Sequence, residues 1–228
     1  MRRQVSRSLA RTALAVAVAL LPAACATTGT TSSGLRYGED AKKAYDEAMA
    51  AFDAHDWDEA VTLFKEVKRK YSYTRWARLA ELRMAEAQWE SEKQTDALGT
   101  FRAFVHDHRT DDEVPYARYR IVKGLFSQIS DTIMLPPQEE RDMATTLEAY
   151  RELRSYLRDY PRSSYGADVA WMLAVVTSRL VRHELYVARY YLRRDRFEAA
   201  VARCQFALRT YDGSGMEPEA MVLLGETY

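Results

Sequence analysis

The densest set of groups able to do chemistry is residues 106–112 (HDHRTDD), where His106, Asp107, His108, Asp111 and Asp112 fall within seven positions. Imidazoles and carboxylates this close are what a metal ion or an acid–base pair requires. Their place in the chain favours a simpler role. They stand where a helix should end, and there histidines complement the helix dipole while acids in the following turn cap the next element. No metal is expected. Glu139 and Glu140 lie in or beside a proline-bearing loop and read as solvated. His183 reads as a packing or hydrogen-bonding group. Cys204 is the one thiol besides Cys25. A single thiol forms neither an internal disulfide nor a Cys-based zinc site, so Cys204 is expected to be buried on a helix. No Gly-rich phosphate loop, HExxH, CxxC or GxSxG occurs, and the chain reads as a non-enzyme with no cofactor.

Cys25 has a different chemistry. Arg2, Arg3, Arg7 and Arg11 form a positive n-region, residues 12–21 (TALAVAVALL) an apolar h-region too short to span a bilayer, and Ala23 and Ala24 lead into Cys25. Residues 1–24 are therefore expected to be a signal peptide. Cleavage near Ala-Ala by signal peptidase I competes with a lipobox reading of LPAAC, in which Cys25 carries diacylglycerol and an N-acyl chain. The lipobox reading is preferred, because a Cys directly after a cleavable h-region is otherwise unexplained. Pro22 stands where a lipobox has Leu. Ala26, where Asp would favour the inner membrane, implies sorting to the outer membrane. Residues 25–38 would be the lipidated Cys and a Thr/Ser/Gly-rich flexible tether.

The elements that must carry any surface are helices. There are 9 Gly and 6 Pro in 228 residues, and from residue 39 onward helical periodicity is nearly continuous. Ala48 and Ala60 are twelve apart, as are Ala85 and Ala97, and Ala188 and Ala200. Phe64, Phe101 and Cys204 follow each second Ala at +4, and Val67, Phe104 and Ala207 at +7. This is the spacing of a tetratricopeptide (TPR) helix pair. A small residue on each helix at the crossing lets the two approach. Asp56 with Glu59, and Asp195 with Glu198, resemble capping boxes that start second helices. A third pair has Gly124 and Ala149 at the small positions, separated by an insertion near 131–141 that Pro136 and Pro137 force out of helix. A long helix is expected from Ser163–Ser164 to about Val181, then a further pair over 182–212, then a last helix from Glu217 that stops at Tyr228. The fold class is all-α: a solenoid over 39–228 of about five antiparallel pairs in a right-handed superhelix.

The 33 basic and 33 acidic residues cancel. Without residues 1–24, which hold four Arg and no acid, 29 basic face 33 acidic residues. That balance excludes a general nucleic-acid binder, and the tyrosines among arginines in residues 184–194 read as solenoid core.

Residues 183–191 (HELYVARYY), followed by LRRD and FEAAVAR, resemble the BamD (ComL) family of TPR lipoproteins of the outer-membrane β-barrel assembly machine. The signal peptide, the Cys, the tether, the first repeat (residues 54–77) and the third-repeat insertion followed by AYRELRSYLRDYPRSSYGADV match as well. Ser72 and Arg109 replace prolines of the family, and the chain stops early. The resemblance implies a scaffold on the periplasmic face of the outer membrane. Its C-terminal repeats would dock a POTRA domain of BamA, with Arg203 at the place of an arginine that meets an acid on BamA. Its N-terminal repeats would receive unfolded outer-membrane proteins by their C-terminal signal, and other Bam lipoproteins are further expected partners. The TPR register puts Tyr45, Met49, Phe52, Leu82, Glu86, Trp89 and Leu125 on the inner side, as an apolar groove for an extended peptide. The competing readings are a TPR lipoprotein for pilus secretin assembly and a coordinator of peptidoglycan synthesis.

Overall fold

The computed structural model describes residues 30–129, 142–211 and 213–227. The signal peptide, Cys25 and the insertion near 131–141 lie outside the described residues. Two compact units divide the chain at Asp40. The described part of the first is the start of helix α1; the packing below belongs to residues 41–228.

Nine helices and no strand occur among the described residues: α1 (Thr30–Asp53), α2 (Trp57–Lys70), α3 (Arg75–Glu90), α4 (Gln94–Asp107), α5 (Val114–Ser127), α6 (Ala144–Asp159), α7 (Gly166–Leu192), α8 (Phe197–Thr210) and α9 (Glu217–Gly225). From α2 on, each packs against the next, and Ala48 of α1 joins Ala60 and Phe64 of α2 in one apolar cluster. This is the expected all-α, TPR-type repeat fold.

The twelve-residue spacing does what its physics required. Ala48, Ala60, Ala85, Ala97, Ala149, Ala188 and Ala200 are all fully buried. The +4 and +7 residues Phe64, Val67, Phe101, Phe104, Leu153, Tyr156, Cys204 and Ala207 are buried too. Gly124 is met by side chains of the preceding pair. A Cβ there would sit 2.7 Å from Leu98 Cδ2 of α4 and 2.9 Å from Trp89 Cζ3 of α3, so an added methyl group would force those side chains to shift. Helix α3 is buried on two sides. Ala80 and Ala87 join the cluster of the first pair, while Leu82 and Ala85 join the main core, which is why the helix is so rich in alanine.

The turn inside a pair recurs in backbone geometry. His55 (φ 63°), Glu92 (φ 63°) and Asp195 (φ 56°) are left-handed, each five residues before the second Ala. In each turn the next amide reaches back five residues: Asp56 to the Ala51 carbonyl at 3.0 Å, Lys93 to Gln88 at 2.9 Å, Arg196 to Tyr191 at 3.0 Å. These are Schellman-type helix ends made without glycine.

Three expectations change. Asp56 caps α2, accepting from the Glu59 amide at 3.3 Å. Asp195 does not cap α8, whose N-cap is Arg196. Asp56 lies four residues before its Ala and Asp195 five, so Asp195 occupies the left-handed slot. The break near Val181 is absent. Helix α7 runs unbroken for 27 residues, about 40 Å at 1.5 Å per residue. No Gly or Pro interrupts it, and Thr177, Leu180, Val181, Glu184, Leu185 and Ala188 keep one buried stripe across the expected break. Finally, α1 begins at Thr30, inside the segment read as a tether. Extending a helix already anchored at Ala41 costs far less than nucleating one. Residues 34–37 of this extension are exposed.

Gly124→Ala should cost about 1 kcal/mol, overpacking outweighing the gain in helix propensity. Gly99→Ala, in the exposed middle of α4 with nothing within 4 Å of the added carbon, should instead stabilise by about 0.5–1 kcal/mol. Thermal unfolding should separate the two by a few degrees in opposite directions.

Candidate functional site

The seven residues assigned to the inner groove divide into two groups. Leu82, Leu125 and Glu86 are buried, with 4%, 2% and 4% of their surface exposed, and the two leucines belong to the main core. Tyr45, Met49, Phe52 and Trp89 are partly buried and keep a surface. Tyr45 lies 5.8 Å from Phe64 and 5.3 Å from Trp76, ring centroid to centroid, and Phe52 meets Trp57 edge-on at 5.1 Å. Trp89 lies across the Gly124 crossing. The seven residues thus divide between packing and partly exposed surface.

Glu86 is the centre of a polar network that the sequence did not reveal. One carboxylate oxygen accepts from Arg83 Nη1 at 2.5 Å. The other accepts from the Tyr116 hydroxyl of α5, with Arg120 Nη1 at 3.6 Å. Arg120 also donates to the Tyr116 oxygen at 3.0 Å and lies over the Phe101 ring. On the other side, Tyr45 of α1 interacts with Arg83 and favours its charged form. These groups tie α3 to α5, with Tyr45 of α1 interacting with Arg83 of α3. Burial and the Glu86 carboxylate push the Tyr116 hydroxyl up to about 12, so it stays a donor. Burial opposes the charge on Arg83, but Glu86 and Tyr45 hold its pKa above the ordinary value. The available signal was a Glu one position after the small residue of an A-helix, with Arg three positions before it.

Arg203 on α8 is nearly half exposed and donates from Nη1 to Glu184 Oε2 of α7 at 3.2 Å. Glu184, in the HELYVARYY run, is 8% exposed. Arg203 therefore has a partner in its own chain and still presents surface. Residues 106–112 are shared among separate partners. His106 meets Asp107 at 2.9 Å, His108 meets buried Glu81 at 3.2 Å, and Asp111 accepts from Arg78 Nε at 2.6 Å. The His106 contact holds the Asp107 carboxyl below its usual range. Among the described residues no three His, Cys, Asp or Glu side chains are grouped as metal ligands. Cys204 is buried, and desolvation raises its thiol pKa, so it is a packing residue. No described helix is long and apolar enough to cross a membrane.

The helical array coincides with a known family. The YfiO model, described as outer membrane lipoprotein, matches residues 38–228. The chain belongs to this family. An "Outer membrane protein assembly factor BamD" of Xylella fastidiosa (strain 9a5c) is 31% identical over 189 residues, covering 81% of this chain and 64% of the relative. Proteins of the same name are 28% identical in Caulobacter vibrioides, over 81% of this chain and 58% of the relative, and 27% identical in Neisseria gonorrhoeae, over 94% and 82%. The chain thus spans about 64% of the length of the Xylella relatives it matches.

Trp89→Ala should lower stability by roughly 2 kcal/mol, part of the cost of truncating a fully buried aromatic. Trp89 packs against Gly124 of α5, which makes it structural as well as partly exposed. Urea unfolding at unchanged slope is the check.

Proposed function

We propose that this chain is a scaffold, not an enzyme, of outer-membrane protein assembly, held at the periplasmic face of the outer membrane by a lipid on Cys25. Two surfaces carry the work. The C-terminal pair around Arg203 docks a POTRA domain of BamA, and the inner faces of α1, α3 and α5 receive unfolded outer-membrane proteins. The observation that supports this most is the family match over residues 38–228, together with relatives named as outer membrane protein assembly factors. The geometry is compatible with it. A guanidinium offers five donors, and Arg203 spends one nitrogen on Glu184, so an acid on a partner can be held without evicting Glu184. Tyr45, Met49, Phe52 and Trp89 offer apolar and aromatic surface to an extended peptide.

Affinity capture of the tagged full chain from detergent-solubilised outer membranes tests the reading. BamA should co-purify. Recovery of a secretin or a cell-wall synthase in its place would overturn it. Charge reversal at Arg203 would set two carboxylates against each other, so the informative variant is Arg203→Ala combined with Glu184→Gln, which removes both charges. It should reduce BamA recovery about tenfold, as for a lost charge-assisted contact, with helicity by circular dichroism unchanged. Undiminished recovery would remove Arg203 from the docking surface.

A further inference from the structure

The end of the first helix pair at the α2–α3 turn is strongly basic. Residues 65–78 (KEVKRKYSYTRWAR) hold six Lys and Arg against one acid, Glu66, in a chain that is net acidic from Cys25 onward. Two of the six are turned inward. Lys68 donates to buried Glu81 at 2.6 Å, and Arg78 to Asp111 at 2.6 Å. Lys65, Arg69, Lys70 and Arg75 are exposed. Lys68, Arg69 and Lys70 stand in the last turn of α2 and complement its dipole. That accounts for a basic helix end, but not for Lys65 or Arg75, and not for Tyr73. The Tyr73 side chain is 95% exposed, more than any other large apolar side chain among the described residues. Beside it Trp76 is partly buried, with Arg75 at 5.0 Å and Lys42 of α1 at 5.7 Å from its ring centroid. Lys42 is paired with Asp46.

We propose that Lys65, Arg69, Lys70 and Arg75, around Tyr73, dock this end of the first pair on the anionic headgroups of a membrane surface. This rests on the reading that a lipid on Cys25 holds the chain at a membrane, and adds which surface of the helical array faces the bilayer. Lys42 stands 17 residues after Cys25, so the anchor precedes this end closely in the chain. An anchor fixes the protein to the bilayer without fixing its orientation, and it makes the second contact intramolecular. A weak attraction then suffices, and each Lys or Arg near an anionic surface strengthens attachment about fivefold. Tyrosine favours the headgroup level, where its ring and hydroxyl are both satisfied. The neighbouring α4–α5 turn has the opposite charge, with Asp107, Asp111, Asp112 and Glu113. Those acids are repelled by the same lipids, so the contact is confined to the first pair. An acidic protein face would meet the same cations; the nearby anchor and the projecting tyrosine favour a bilayer.

The test is hydrogen exchange, read by mass spectrometry, on the full chain reconstituted into vesicles of phosphatidylcholine and of an equal mixture of phosphatidylcholine with phosphatidylglycerol. Amides of residues 69–76 should exchange about tenfold more slowly on the mixed vesicles than on the neutral ones. Salt at about 1 M, where the Debye length is about 3 Å, should remove the difference. Lys65→Gln, Arg69→Gln and Arg75→Gln combined should abolish it, and Tyr73→Ser should reduce it. These side chains are exposed, so helicity by circular dichroism should be unchanged; should the triple variant misfold, Tyr73→Ser carries the comparison. Equal exchange on the two vesicles, or slowing that survives the substitutions, overturns the docking surface. So does slowing seen only when other outer-membrane proteins are present, which would assign this end to an acidic protein face. In each of these cases flotation of the chain with both vesicles leaves the anchor standing. If the chain floats with neither, the anchor and the docking surface both fall.

Discussion

The fold depends on how closely two helix backbones can approach. At each described crossing the residue on both helices is Ala or Gly, fully buried. With so little side chain between them, neighbouring helices bring the larger +4 and +7 residues into contact behind the crossing. A pair of short helices buries too little surface to be stable alone. It becomes so only when its second face closes on the next pair, as α3 does by giving alanines to one cluster and Leu82 to another. Stability is therefore a property of neighbours. A single misfit at a crossing such as Gly124 acts on two pairs at once.

Charge is buried at the same junctions, in a repeating position. Glu81 and Glu184 each stand four residues before the small residue of their A-helix. Glu81 is held by Lys68 of α2 at 2.6 Å and by His108 at the end of α4, and Glu184 by Arg203 of α8. In the third pair the same position is Arg120, which turns back to Glu86 of the second. Burying such pairs gives little net stability, because desolvation offsets the attraction. What they supply is register. A solenoid of similar helices has many ways to slide by a turn, and a slide would strand a buried carboxylate without its cation. No buried side-chain nitrogen or oxygen of the described residues is without a hydrogen bond, so the register seen is one that satisfies all of them.

What was legible in the sequence follows from this. The crossings could be read because only small residues fit there, and the constraint shows directly in residue type. The left-handed turns could not, because His55, Glu92 and Asp195 share a backbone geometry and no chemistry. The length of α7 could not, because the sequence reading ends a helix near Val181 and opens a new pair at 182, although the stripe from Thr177 to Ala188 holds no breaker. For the groove, the TPR register gives the side of the helix a residue faces and not its depth. Leu82 and Leu125 face the same way as Tyr45 and Trp89, yet they are core. Glu86 passed as one polar residue in an apolar row because the groups that hold it, Tyr116 and Arg120, come from another helix about thirty positions on.

Arg203 and the Arg83–Arg120 pair share one arrangement. At Arg203 and at the Arg83–Arg120 pair, each arginine is held by a buried acid of the same chain. A free surface arginine pays the entropy of its long side chain when a partner arrives. Here that cost is met during folding, by Glu184 and Glu86, so any carboxylate that bound there would meet a guanidinium already in place. The internal acid also limits the gain, since it cancels part of the field the ligand would feel. Preorganisation with partial neutralisation favours contacts that are selective in geometry and modest in strength.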